Sequence, residues 1–273
     1  MDGQRGPVGA PTRESGDEVS AIWGRPSDLR WWFAGSRGFA LLLLAYLVSA
    51  PVLVWAIAPP FYSANPVQAT VVDEVSGSPL SGVIVVAIWQ LKAISGLGPR
   101  LQVSETLTDH QGRFSIPGWG PRMRPPLTEF RRSSPRLVFF KRGYVPLVLY
   151  NESRREVEKT YPNYRTMSTR DLREATRWHE GTASDVVQES MWNGLTVQVE
   201  PFRGTPMEWF RHLRHVESQV EWEDTLNARQ LYQTLLAERD YFRTNPVSPM
   251  EVRPQRMEEF FLDIESRLQG KRK

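Results

Sequence analysis

The sequence predicts one membrane-spanning helix near the N-terminus, then a mainly-β sandwich of about seven antiparallel strands, then an α-helical C-terminal extension. Three observations carry this. No charged residue lies between Arg37 and Asp73, and Gly38–Ala58 (GFALLLLAYLVSAPVLVWAIA) is apolar almost throughout. Short Val/Ile/Leu-rich runs alternate with turn residues from Gln68 to Tyr150. Beyond Thr205 the apolar residues recur at helical spacing.

The apolar segment is long enough to cross the hydrocarbon layer as a helix. A charge at its centre would cost roughly 2.5 to 3.5 kcal/mol, and it carries none. Arg25, Arg30 and Arg37 precede it against Asp28 alone, whereas the first charges beyond it are Asp73 and Glu74. The positive-inside rule therefore places residues 1–37 in the cytoplasm. Trp31 and Trp32 before the segment, with Trp55, Phe61 and Tyr62 at its exit, read as anchors at the two headgroup levels.

The competing reading is a cleavable signal peptide, because Val48-Ser49-Ala50 and Ala56-Ile57-Ala58 resemble cleavage sites. Each is followed by proline, which disturbs the extended backbone that a peptidase grips. The apolar core is also longer than a signal peptide needs. An uncleaved anchor is the expectation, with a cleaved, soluble periplasmic binding protein as its alternative. The chain has no cysteine, which excludes both a disulfide framework and a lipid-accepting cysteine. A formal charge of +3 is too small to imply nucleic acid as a partner.

Residues 1–21 are Gly, Pro, Ser and charge with almost nothing to bury, and they read as a disordered tail. Pro59, Pro60 and Pro66 make a stiff connector after the membrane. Strands are then predicted at Ala69–Asp73, Gly82–Trp89, Glu105–Asp109, Arg113–Ile116, Arg136–Lys141 and Tyr144–Leu149. Asn193-Gly194 supplies a turn before one more, Leu195–Glu200. The boundaries that follow are 1–37 for the tail and juxtamembrane segment, 38–61 for the membrane helix and 66–150 for the sandwich. An irregular region with a further strand occupies 151–204, and the helical extension 205–273.

The ordered signals Val71-Val72-Asp73, Gly77-Ser78-Pro79-Leu80-Ser81-Gly82-Val83-Ile84-Val85, Thr106–Ile116 with Asp109-His110-Gln111-Gly112, and Lys141-Arg142-Gly143-Tyr144 resemble the carboxypeptidase regulatory-like domain. The resemblance implies a transthyretin-like (prealbumin-like) sandwich and an accessory or interaction role. This sequence departs from that pattern in a long insertion, Leu91–Gln102, and in a Pro- and Arg-rich loop, Pro117–Ser134. The zinc-hydrolase spacings His-x-x-Glu and His-Glu-x-x-His are missing, as is the Tyr-Arg-Gly-Ser ending of the hydroxyisourate hydrolases. A Gly-x-Ser-x-Gly elbow and a phosphate loop are also missing.

The candidate binding surface is the loop around Pro117–Arg136, where Arg122, Arg124, Arg131, Arg132 and Arg136 stand against Glu129 alone. Trp119 and Phe130 offer flat apolar faces among them. Such a mixture suits an anionic lipid, a glycan or an acidic envelope protein. The histidines point less clearly to chemistry. His110 belongs to a turn and His179 to a polar stretch. His212 and His215 share a helix face near Glu217, but Arg211 and Arg214 beside them oppose a cation.

No metal or cofactor is expected. A hydrolase assembled from dispersed residues, with His212, His215, Glu217 and His179 as its groups, is the reading from another class. The preferred one is a non-catalytic, single-pass protein of a bacterial inner membrane. It touches the bilayer through its N-terminal helix and displays a binding or scaffolding module on the periplasmic side.

Thr205 and Glu208 form a capping-box pair ahead of Met207, Phe210, Leu213 and Val220. Leu226–Phe242 and Arg256–Leu268 carry two further helical stripes, separated by Pro246, Pro249 and Pro254. Those stripes are expected to pack on the sandwich or on each other.

Overall fold

The computed structural model describes residues 43–47, 61–93, 96–176, 182–183, 187–220, 222–248, 250 and 252–270. The chain divides into two units, Met1–Ala58 and Pro59–Lys273. In the first, residues 43–47 are helical, with Leu43, Leu44, Tyr46 and Leu47 exposed. The rest of the expected membrane segment, and the tail at 1–37, lie outside the described residues. No helix among the described residues is long and apolar enough to cross a membrane.

The second unit is a β-sandwich covered on one side by helices. One three-stranded sheet has β2 (Val67–Asp73) at its centre, between β5 (Arg113–Ile116) and β12 (Thr196–Val199). The six-stranded sheet is built on β3 (Ile84–Ala93). On one side β3 pairs with β4 (Gly96–Leu107). On the other it pairs first with β8 (Arg136–Phe140) and then with β7 (Thr128–Arg131). β9 (Leu147–Leu149) flanks β8, and β10 (Thr182–Ala183) flanks β7. A small third sheet joins β1 (Phe61–Ala64) to β6 (Trp119–Met123) and β11 (Val187–Gln188).

Period two decides what each strand buries. In β2, Val67, Ala69 and Val71 point inward, and they meet Val85, Ala87, Trp89, Leu137 and Phe139 of the large sheet. The intervening residues of that large sheet, Ile84, Val86, Ile88, Val138 and Phe140, point the other way into a second core. Three helices supply the far wall of the second core: α3 (Pro206–Glu217), α4 (Arg229–Thr244) and α5 (Pro254–Leu268). Two shorter helices, α1 (Arg154–Thr160) and α2 (Thr169–Thr176), give Val157 and Leu172 to the first core. The layers are therefore sheet, sheet and helix, with β3 in the middle.

Three expectations are corrected. The sandwich is not wholly antiparallel: β12 runs parallel to β2, with Thr196 opposite Thr70 and Val199 opposite Asp73. The long connection between these strands permits a parallel pairing that a hairpin forbids. The Pro- and Arg-rich stretch is not a loop, because it contains β6 and β7. The Leu91–Gln102 insertion prolongs β3 and β4 with register shifts near Gln90.

Turn chemistry fixes the β4–β5 connection. Asp109 Oδ1 accepts from the backbone N–H of Gln111 at 2.8 Å and of Arg113 at 2.9 Å. Gly112 has φ +70°, and a Cβ there would lie 2.3 Å from the Val71 carbonyl oxygen. Only glycine fits.

Polar side chains of the large sheet hold the helical layer at both ends. The Glu105 carboxylate of β4 accepts from the N–H of Gln230 at 2.8 Å and of Leu231 at 2.7 Å, satisfying orphan donors at the start of α4. Just past the end of α3, the Gln219 carbonyl accepts from Arg136 at 2.8 Å and Arg100 at 3.3 Å. Arg100 also pairs with Asp224 at 3.1 Å. Between these ends the buried Glu238 of α4 accepts from Trp209 Nε1 of α3 at 2.9 Å and pairs with Arg142 at 3.2 Å. The capping box at Thr205 and Glu208 starts α3, with Pro206 in the first turn.

Glu105→Ala is expected to lower stability by about 1 to 2 kcal/mol, the usual range for losing a helix cap, in a denaturant titration. Glu105→Gln, which keeps an acceptor, should lose less. Truncation before Leu226 removes α4 and α5 and leaves the second core without Leu231, Tyr232, Leu235, Phe242, Phe261 and Ile264, so the shortened protein should aggregate and bind apolar dyes. A truncated chain as soluble and heat-stable as the whole would contradict this account of the second core.

Candidate binding groove

The residues singled out as a binding loop do not converge. Phe130 is fully buried, with its ring centroid 4.2 Å from that of Tyr62, and its burial contributes about 1.5 to 3 kcal/mol to the first core. Trp119 is half-buried and stands edge-on to Trp89 at 5.8 Å, with its indole N–H enclosed. Arg122 lies 5.5 Å over the Trp119 ring and donates to the Leu101 carbonyl. Arg124 is half-buried beside the Tyr62 hydroxyl. Arg131 is half-buried in β7, opposite Thr182.

Arg132 pairs with Glu152 and, at 3.9 Å, with Glu156. Arg136 holds the end of α3, as described above. Of the five arginines, Arg122 alone is fully exposed, so the positive charge that composition suggested is divided among structural contacts.

The histidines form no metal centre either. His212 is half-buried against Phe202 and Trp209, with ring centroids at 5.7 and 6.5 Å, and His215 is exposed. Glu217 turns away to an ion pair with Arg267. His179 lies outside the described residues. No group of three or more potential metal ligands occurs among the described residues.

The exposed margin of the helical layer has a different character. In α3, Trp209, Phe210, Leu213 and Val216 are buried, so the adjoining stripe of Met207, Arg211, Arg214 and Glu217 falls at the edge of the buried face. In α5, Phe261 and Ile264 are buried, and Arg256, Glu259, Phe260, Asp263 and Arg267 form the matching stripe. The two stripes face each other across two cavities of about 440 and 500 Å³ that share Arg214 and Arg256. They make one groove.

Its two halves differ in charge. One half is lined by Arg211, Arg214, Arg253 and Arg256 around Met207, Phe210, Met250 and Val252. No carboxylate is among the described residues that line it. All four arginines are exposed, and none forms an ion pair with a described carboxylate. In the other half Arg267 is engaged by Glu217 at 2.5 Å and Asp263 at 2.7 Å, and it donates to the Tyr232 hydroxyl at 3.2 Å. Burial pushes the Glu217 carboxyl up, against the pull of Arg267. That half is internally neutralised.

This groove lies away from the loop that the sequence singles out: Arg211 and Arg214 read there only as neighbours of His212 and His215, and Arg253 and Arg256 lie beyond a proline-rich break. The available signal was the repetition of arginine beside apolar residues at three- and four-residue spacing in both helices.

Burial pushes the His212 imidazole below its ordinary range, while the Glu208 carboxylate pulls it upward. A depressed imidazole contributes stability that is present above its unfolded pKa of about 6.5 and is lost as pH falls through the folded value. Thermal stability should therefore drop on acidification below neutral pH. His212→Phe, which keeps the ring contact with Phe202, should flatten that drop; an unchanged profile would show that His212 is not its source.

No family model matches the chain, and no curated protein matches it. Among solved structures it is similar in part to 3-chlorocatechol 1,2-dioxygenase from Rhodococcus opacus 1CP, at 20% identity over 33% of this chain and 43% of that one, with a TM-score of 0.23. It is also similar to a group B streptococcus pilus 2b backbone protein, at 14% identity over 50% and 41%, TM-score 0.22. An intradiol ring-cleavage dioxygenase from Tetranychus urticae matches at 16% identity over 53% and 83%, TM-score 0.27. The chain spans less than half the length of the first two. At TM-scores this low the likenesses carry no argument about activity.

Proposed function

We propose that the protein is a non-catalytic, single-pass envelope protein, held in a bacterial inner membrane by the helix at 38–61, with its N-terminus cytoplasmic. Its sandwich and helical layer work on the periplasmic side as a binding or scaffolding module. The membrane part is supported by the charge-free stretch from Gly38 to Val72 and by the arginines that precede it. The resemblance to the carboxypeptidase regulatory-like domain, an accessory module in its family, supports the binding role. The residues quoted for it fall in β2, β3, β4 and β5 and in turns, where Asp73 Oδ1 accepts from Val75 and Ser76 and Gly143 has φ +82°.

The observation that carries the functional reading is the arginine-lined half of the groove. Four exposed guanidinium groups beside apolar side chains, none in an ion pair with a described carboxylate although Glu208 and Glu217 lie within electrostatic reach of Arg211 and Arg214, are a surface prepared for an anionic partner. Arginine is suited to this because its planar donors match carboxylate and phosphate geometry.

The protein should stay in the membrane fraction after carbonate washing, and external protease should digest the part beyond Asn65 in spheroplasts. A soluble form starting at Pro51 or Pro59 would overturn the anchor. A photoreactive residue at position 207, in the lining of the groove, should give adducts in native membranes that disappear when Arg211 and Arg214 are both serine. Identical adducts with and without those arginines would overturn the assignment of the groove as the working surface.

A further inference from the structure

The groove between α3 and α5 carries more than a positive charge. Phe210 at its base is already buried against Phe242 and Phe260, but Met207, Val252 and the exposed Met250 beside it offer apolar surface for apolar groups to cover, and the four exposed arginines call for anionic ones. A glycan or a phosphate polymer supplies the charge and leaves the floor wet. An anionic bilayer supplies both, but it presents one sign of charge across a flat field. The second half of the groove mixes Glu217, Glu259 and Asp263 with Arg214, Arg256 and Arg267, so a field of one sign gains nothing there. A polypeptide segment meets all three conditions, because its side chains can alternate acid and apolar along a concave track.

We propose that this groove binds an acidic peptide segment of a partner protein. Its carboxylates engage Arg211, Arg214, Arg253 and Arg256, and its apolar side chains sit on Met207, Met250 and Val252. The inference rests on the binding reading given above and names the class of partner. The ligand enters from the arginine half, because in the other half Arg267 is already engaged by Glu217 and Asp263. Binding is charge-assisted through side chains that are exposed when free, so it weakens with salt within a Debye length of about 8 Å at physiological strength. Direction along the groove is set by the change from unpaired arginines to paired ones.

The test uses the full-length protein in micelles of an uncharged detergent. The probes are a fluorescent peptide of glutamate and leucine of about ten residues, which spans the groove when extended, its lysine-and-leucine counterpart, and phosphatidylglycerol vesicles. The acidic peptide should bind in a salt-dependent way. Affinity should fall at least tenfold in Arg211→Ser with Arg253→Ser, and it should be unchanged in Arg122→Ser with Arg124→Ser. Arg211, Arg253 and Arg122 are exposed and Arg124 is half-buried, so equal melting temperatures are required of both variants to show that they remain folded.

Arg211→Glu with Arg253→Glu should move the preference to the lysine peptide. Absence of acidic-peptide binding, equal binding by the serine variant, or loss in the Arg122 and Arg124 variant would each overturn the proposal. Vesicle binding that depends on Arg211 and Arg253, in place of peptide binding, would overturn the peptide assignment and leave the binding reading standing. No groove-dependent binding of any probe, together with unchanged adducts at position 207, would remove both.

Discussion

Strand β3 is covered on both faces, and this constraint organises the rest of the domain. From Ile84 to Leu91 every residue is buried, with odd-numbered positions facing the small sheet and even-numbered positions up to Ile88 facing the helices. A sandwich strand usually keeps one face for water and alternates polar with apolar; a strand enclosed between layers reads as a continuous apolar run. Once β3 has that composition, the helical layer is obligatory. Without it Val86, Ile88, Val138 and Phe140 would form an exposed apolar patch at the centre of the sheet. The polar ties at Glu105, Arg100 and Arg136 then set where the helices lie on this surface, a choice that hydrophobic burial alone leaves open because it is non-directional.

The same arrangement explains which parts of the fold were legible. Strands β2, β3, β5, β8, β9 and β12 were visible as apolar runs with turn residues between them, and Thr205 with Glu208 marked the start of α3. The helical stripes were visible too, and the unbroken run Ile84–Trp89 held the information that they cover the sheet. Strand direction was not legible. Nothing local in Thr196–Val199 distinguishes a parallel partner from an antiparallel one, since the choice depends on the path of the intervening chain. β6 and β7 were hidden because Pro121, Pro125 and Pro126 suggest a loop, whereas proline is tolerated at strand edges and ends.

The candidate site was less legible than the fold, for a related reason. Counting arginines within one stretch of sequence measures local charge, and the structure spends that charge on distant partners: Arg132 on Glu152, Arg136 on Gln219. The exposed arginines of the groove sit on α3 and at the start of α5, which α4 separates in sequence, so they become neighbours only through tertiary packing. Trp119 and Phe130 show the converse. They looked like exposed aromatic faces, yet both pack among Tyr62 and Trp89, where edge-on and tilted ring contacts are favourable.

The parallel pairing of β12 with β2 also sets an order of events during synthesis. Strand β2 emerges early, but its neighbour on one side is among the last strands made, and Val197 and Val199 complete the wall of the first core only then. Until that moment one edge of β2 has open backbone donors and acceptors, the kind of edge that recruits foreign strands. Closing a contact of such high sequence separation is slow compared with forming helices or hairpins. A nascent chain of this design therefore carries an unfinished sheet until β12 has emerged, and its folding is gated by the arrival of that strand and not by the early ones.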